Sequence, residues 1–206
     1  MSFLLFLLTA SLIALSPGPG IFYVAARTLA GGRAEGLASS VGTGIGGLVH
    51  VLAGAVGVSA LVMASAEAFT LLKIAGALYL IWLGLKTIRE GGSVHPATVS
   101  RSGANRAFRE GIVVEALNPK TAAFFLAFLP QFVDPATGPV WLQFMVLGTI
   151  SVVLNTAADV GVVFIAARAR TLATARPSLL RRLRQGSGAA IAALGVALLF
   201  ARRPAT

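Results

Sequence analysis

Ala14-Leu15-Ser16-Pro17-Gly18-Pro19-Gly20-Ile21-Phe22 lies inside an apolar run that extends from Phe3 to Ala26. Prolines and glycines alternating over positions 17–20 cannot continue an α-helix. Pro17 and Pro19 lack an N–H, and each ring clashes with the carbonyl four residues earlier. Gly18 and Gly20 lift the steric limits that would keep the backbone helical. In lipid, backbone groups freed by such a break need protein or water partners. A broken helix therefore persists only where it is buried in protein or lines a cavity. The stretch predicts a membrane helix interrupted at its middle, with a binding site at the interruption.

Composition agrees with a membrane setting. The 206 residues are 56% hydrophobic and only 12% charged, with a mean hydropathy of +0.85. Soluble domains carry about 25% charged residues. Apolar runs reach the length of a membrane span. The expectation is one polytopic transmembrane domain over residues 1–206, with no room for a separate soluble one. The chain has no cysteine, which excludes disulfides, thiolate metal sites and cysteine nucleophiles. The net charge of +10 is read as Lys- and Arg-rich cytoplasmic loops, not as a nucleic-acid surface. The first run carries no positive n-region, and Pro17 follows its only small-x-small site, Ala14-Leu15-Ser16. It is read as a retained helix, not a signal peptide.

Working outward from the first break, six helices are expected, all α. They cover about residues 2–28 (broken at 16–20), 36–64, 68–88, 108–132, 140–167 and 186–201. The fourth is interrupted at Asn118-Pro119-Lys120. Short turns are expected at 31–35 and 65–67, a flexible cytoplasmic loop at about 89–107, and a basic loop at 168–184. Helix 2 is studded with glycine. Pairs four apart, Gly42/Gly46 and Thr43/Gly47, allow close helix approach, within one chain or against a second copy in a homo-oligomer. Turns 1–2, 3–4 and 5–6 hold most of the Lys and Arg, whereas the opposite side has only Lys73, Arg202 and Arg203. The positive-inside rule then places both termini outside.

A shift of 102 residues lays Ala14-Leu15-Ser16-Pro17 on Ala116-Leu117-Asn118-Pro119, Phe22 on Phe124, Gly36 on Gly138 and Gly46 on Gly148. Both breaks then open a three-helix unit, at about 1–90 and 108–206. A three-helix unit duplicated in tandem inserts upside down the second time. Paired interrupted spans in the two halves of an inverted repeat point to a central binding site.

At the first break, carbonyls of Ala14, Leu15 and Ser16 are candidates to hold an ammonium group. N–H groups near Ile21 and Phe22, at a helix start, are candidates to hold a carboxylate. A proline kink that only shapes packing is the competing reading. In helix 4, Glu115 and Asn118 share a face, and Lys120 follows. A charge at membrane depth costs about 2.5–3.5 kcal/mol on insertion scales and is normally paired or functional. Lys120 is a candidate to bind a substrate carboxylate, or to neutralise Glu115 or Asp159. In helix 5, Asn155 and Asp159 share a face. Asp159 is the leading candidate to take up and release a proton, with Glu115 and His50 behind it; a structural role is the alternative for each. His95 falls in the polar loop and is assigned nothing. No metal-ligand spacing appears, and no cofactor is implied.

These residues resemble the LysE/RhtB family of bacterial amino-acid exporters over nearly the whole chain. The resemblance rests on Ser16-Pro17-Gly18-Pro19, the Gly42–Gly57 stretch with His50, Ala75-Gly76-Ala77-Leu78-Tyr79-Leu80 and Leu83-Gly84-Leu85-Lys86. It rests most specifically on Gly111 with Leu117-Asn118-Pro119-Lys120-Thr121-Ala122, Phe124-Phe125 and Leu129-Pro130-Gln131-Phe132. Glu115 departs from the neutral polar residue more usual there. The resemblance implies a six-helix inner-membrane exporter of amino acids or related metabolites, driven by the proton gradient. It implies substrate contacts at Ser16, Pro17, Gly18, Pro19, Gly20, Asn118, Pro119 and Lys120. The alternatives are an integral membrane enzyme acting on lipid or acyl substrates and a passive small-solute channel. The enzyme reading lacks a base near Ser16 in the sequence and any cysteine nucleophile.

Overall fold

The structure, a computed structural model, describes residues 3–64, 66–89 and 101–171, together with scattered positions between 182 and 200. No strand occurs among the described residues. The expected His95 and most of the 89–107 loop lie outside them, as does most of the 168–184 loop.

Helix α1 covers Phe3–Leu15 and α2 covers Pro19–Gly31. The two meet at a bend of 47°. Gly18, extended at φ −136°, caps α2, and Pro19 occupies its first turn, where a missing N–H costs nothing. Gly32, at φ 81°, ends α2 by donating its N–H to the Thr28 carbonyl. That left-handed conformation suits glycine alone among the neighbouring residue types. It also compresses the expected five-residue turn into a single residue. Arg33, Ala34 and Glu35 are already the first turn of α3, which covers Arg33–Ala64. Helix α4 covers Ala66–Arg89, so the expected 65–67 turn is likewise shorter.

Helix α5 covers Ala104–Ala116 and α6 covers Pro119–Ala123. A π turn at Phe124–Phe128 and a 3-10 turn at Leu129–Phe132 carry the chain onward. The bend between α5 and this composite segment is 41°. A further short 3-10 turn, Pro135–Thr137, is capped by Asp134, whose Oδ1 accepts from the Ala136 N–H at 2.9 Å. Helix α7 covers Val140–Thr171. The described positions between 182 and 200 are helical.

Arg33–Gly57 and Val140–Arg168 are each long and apolar enough to cross a membrane. The bent pairs Phe3–Leu15 with Pro19–Gly31 and Ala104–Ala116 with Pro119–Phe132 each qualify as one interrupted span, giving two to four candidate spans among the described residues.

Helix α3 is the central element, packed along α5 and α7. Glycine makes this possible. A Cβ at Gly42 would overlap the Phe108 carbonyl oxygen, and one at Gly46 would sit 2.5 Å from the Ile112 carbonyl oxygen. Reciprocally, Gly111 of α5 lies against the Ser39 carbonyl. The other face of α3 meets α7, with Gly47 against Val152. The apolar core gathers around the π turn. Phe124, Phe125 and Phe128 are buried there with Phe6, Val51, Ala77, Leu80 and Phe144. Phe124 and Phe128, four residues apart within this turn, stack with centroids 5.7 Å apart.

Candidate functional site

The two breaks face each other. Lys120 leaves the first turn of α6, is only 5% exposed, and crosses to the C-terminal end of α1. Its Nζ donates to the Ser16 carbonyl at 2.8 Å and the Ile13 carbonyl at 3.2 Å. The Ile13 carbonyl also accepts the Ser16 N–H at 3.1 Å, and carbonyls at a helix C-terminus carry the negative end of the helix dipole. Lys120 supplies both a donor and a positive charge. Its Nζ and Cε would lie 3.1 Å from a Cβ at Gly18, so a side chain at position 18 would crowd the lysine.

Glu115, 2% exposed, occupies the other half of the site. Its Oε2 accepts from Asn118 Nδ2 at 2.9 Å and its Oε1 accepts from Thr121 Oγ1 at 2.6 Å. Oε2 also lies 2.6 Å from where a Cβ would stand on Gly20, in the first turn of α2. A carboxylate placed there meets the positive end of that helix. Asn118 is bonded on both sides of its amide: Oδ1 accepts the Lys120 backbone N–H at 3.1 Å and caps α6, while Nδ2 holds Glu115. Pro119 follows as the first residue of α6. No ion pair joins Lys120 to Glu115 or to Asp159 among the described residues.

The N–H groups expected to be open at the start of α2 are partly committed, because Phe22 donates to the Gly18 carbonyl at 3.0 Å. His50, on the Gly46/Gly54 stripe of α3, donates Nε2–H to the Glu115 backbone carbonyl at 2.9 Å and stacks on Phe125. It thus touches the Glu115 backbone and not its carboxylate.

Asp159 of α7 is fully buried. Thr43 Oγ1 stands 2.8 Å from Asp159 Oδ2 and 2.9 Å from the Ser40 carbonyl oxygen. Asp159 Oδ1 has no hydrogen-bond partner among the described residues. Thr43 links Asp159 to the breaks, since a small cavity lined by Ile13, Ala14, Thr43, Glu115, Lys120 and Asn155 lies between them. Its volume is about 30 Å³, room for about one water molecule.

Sequence reading missed a second polar cluster. Arg27, 6% exposed, donates Nε to Tyr23 Oη at 3.1 Å and Nη1 to Ser102 Oγ at 2.7 Å, and pairs through Nη2 with Glu110. Glu35, 2% exposed, stands 3.9 Å from Arg27. Its Oε1 accepts the backbone N–H groups of Ser102 and Gly103 at 3.0 and 2.8 Å. The cluster ties the end of α2 and the start of α3 to the start of α5. Opposite charges flanking Gly31-Gly32 were the available signal. Thr43 and Thr121 carried none beyond their small size.

Comparison with known proteins gives the class. A family model described as LysE type translocator matches residues 11–202. The chain belongs to that family, and is a membrane protein of the translocator kind, without strands among its described residues, and not an enzyme. It is 33% identical over 200 residues to a membrane protein of Vibrio cholerae serotype O1, covering 97% of each chain. It is 32% identical over 200 residues to the homoserine/homoserine lactone efflux protein of Salmonella typhimurium, covering 96% of this chain and 95% of that one. Identity to the leucine efflux protein of an Enterobacter species is 29% over 153 residues, 72% of each chain. No solved structure matches.

Proposed function

We propose that this chain exports amino acids or close derivatives from the bacterial cytoplasm across the inner membrane, by proton antiport with alternating access around the two broken helices. The observation that carries the reading is the interlocking of the breaks, with Lys120 on the carbonyls of the first and Glu115 against its glycine. A membrane protein has little reason to bury two opposite charges against broken backbone unless ions or zwitterions pass there. The names of the relatives, efflux of homoserine or homoserine lactone and of leucine, support a small amino acid or a close derivative as cargo. Substrate contacts are assigned to residues 16–20 and to Asn118, Pro119 and Lys120.

The architecture we propose is a single domain of six spans, in two inverted three-helix repeats, with both termini outside. It is supported by the position of each bend, by proline in the first turn of α2 and of α6, and by the 32-residue helix that follows each broken pair.

Asp159 is assigned the proton. Thr43 has one hydroxyl proton and two oxygens in reach. It can donate to an ionised Asp159, or donate to the Ser40 carbonyl and accept from a protonated Asp159. The site therefore tolerates either state at little cost in hydrogen bonds. Glu115 and His50 are secondary proton candidates.

Proteoliposomes preloaded with labelled amino acids, including leucine and homoserine, and given an inward proton gradient should release a subset. Collapsing the gradient should stop the release. No efflux of any amino acid would refute the exporter. Asp159→Asn should abolish gradient-driven release yet leave exchange of internal for external substrate intact. A variant whose gradient dependence matches the parent would remove Asp159 from the proton role.

A further inference from the structure

We infer that Asn155 of α7 reads the side chain of the cargo, taking a neutral hydrogen-bonding group there, a hydroxyl or an ester carbonyl, in preference to a purely apolar one. The inference rests on the exporter reading above and deepens it by naming a residue that sets which cargo is preferred.

Around the cavity at the breaks, nearly every polar side chain is committed. Glu115 accepts from Asn118 and Thr121. Lys120 donates to the Ile13 and Ser16 carbonyls. Thr43 is engaged with Asp159 and the Ser40 carbonyl. Ser151 Oγ donates to the Leu147 carbonyl of its own helix at 3.0 Å. Asn155 lines the same cavity, yet its side-chain amide has no hydrogen-bond partner among the described residues. Ser151 and Asp159, one turn to either side on the same stripe of α7, are buried; Asn155 between them keeps accessible surface.

The opposite wall explains why. To the cavity α3 presents Thr43, Gly44 and Gly47. Gly44 admits α7, since a Cβ there would stand 2.8 Å from Thr156 Oγ1. The two glycines have no side chain to offer Asn155, and the Thr43 hydroxyl is already engaged.

An amide left unbonded in the interior of a membrane protein costs free energy that a ligand can recover. Asparagine offers two N–H donors and a carbonyl acceptor. It can bond a hydroxyl in both directions and an ester carbonyl through Nδ2. The ionised side chains, Glu115 and Lys120, belong to α5 and α6, where the charged end of the cargo is held. The α7 wall is neutral, with Asn155 next to Ser151 and Val152, and suits the other end. The cavity, at about 30 Å³, admits cargo only as the breaks part. A site built to bond a hydroxyl disfavours an analogue lacking it, because the site's own polar group is left unpaired.

The test uses the purified full chain in detergent. The midpoint of thermal unfolding is titrated with L-homoserine and with L-norvaline, in which a methyl replaces the hydroxyl. In the parent, the half-saturating concentration should be about tenfold lower for homoserine than for norvaline. Asn155→Leu, similar in shape but without the amide, should reverse that order. Asn155→Ala, the second variant should the leucine protein fail to fold, should erase the margin. An Asn155 that is only structural would lower the midpoint without ligand and leave the order of the two ligands unchanged; that result would overturn the inference. So would a parent stabilised equally by both amino acids, or by neither. Transport plays no part in this readout. A homoserine preference lost with Asn155, in a protein that shows no efflux, would refute the exporter and keep the site. Efflux with an unchanged ligand order would refute the role of Asn155 alone.

Discussion

Between Leu15 and Pro19 the chain is interrupted by glycine and proline, and the residue capping the next half-helix is Gly18, with no side chain to bond. Between Ala116 and Pro119 the interruption is held by Asn118, whose side chain caps α6 and grips Glu115. One break is made by withholding backbone partners, the other by supplying side-chain ones. The difference explains why each needs the other. The first leaves carbonyls and open space, and Lys120 and Glu115 of the second fill them. A helix interrupted by proline alone would carry unsatisfied groups in the membrane; one interrupted by charges alone would carry unpaired ions. Placed together, each offsets the other's cost.

The comparison is broken most severely by letting α1 run on. Pro17→Ala with Pro19→Ala removes the two residues that forbid helix, and no side-chain cap remains to stop it. Lys120 would lose its carbonyls, and efflux from proteoliposomes should vanish while membrane insertion persists. Normal efflux would show that the first break does not depend on its prolines. Filling the space is the next largest effect. Gly20→Leu would drive a side chain into Glu115 Oε2, and export should fall about 100-fold, equivalent to ~2.7 kcal/mol. An unchanged rate would separate Glu115 from the mechanism.

Removing the cap at the second break should cost less. Asn118→Ala loses a capping bond, worth about 1 kcal/mol, and the bond to Glu115; a lowered midpoint of thermal unfolding would register the loss. Asn118→Ser retains a cap without reaching Glu115 as asparagine does, and should recover part of the stability but little of the transport. Smallest of all is Pro119→Ala. Asn118 still defines the start of α6 and the contact assigned to Pro119 is kept by its main chain, so efflux should stay within about twofold of the parent, since a missing N–H at the first helical position was never needed. If Pro119→Ala were as damaging as the Pro17 and Pro19 pair, the asymmetry between the breaks would be false.

The breaks were legible because proline and glycine act on their own neighbours. Residues 17–20 and 118–119 stop a helix in any surroundings, and both interruptions occur where that local rule puts them. The glycine face of α3 was legible for a similar reason, since spacing four apart defines a helix face. Arg27 and Glu35 were not. Arg27 was expected near the end of the first helix and Glu35 in the polar turn at 31–35, yet both are buried, because Gly32 alone makes the turn and the segment leading into α5 closes over Glu35. The pairing of Thr43 with Asp159 was equally hidden, joining residues on helices far apart in the chain.

The amino-acid order by itself determined that this is a membrane protein of broken helices carrying Glu115, Lys120 and Asp159 at depth. Hydrophobicity and backbone sterics are properties of short stretches, and need no fold to act. Only the tertiary structure decided that Lys120 rests on Ile13 and Ser16 of the other break instead of pairing with Glu115 or Asp159. A buried ion's partner is chosen by geometry across helices. Asn118 and Thr121 had already engaged Glu115, and the carbonyls at the end of α1 were within the lysine's reach.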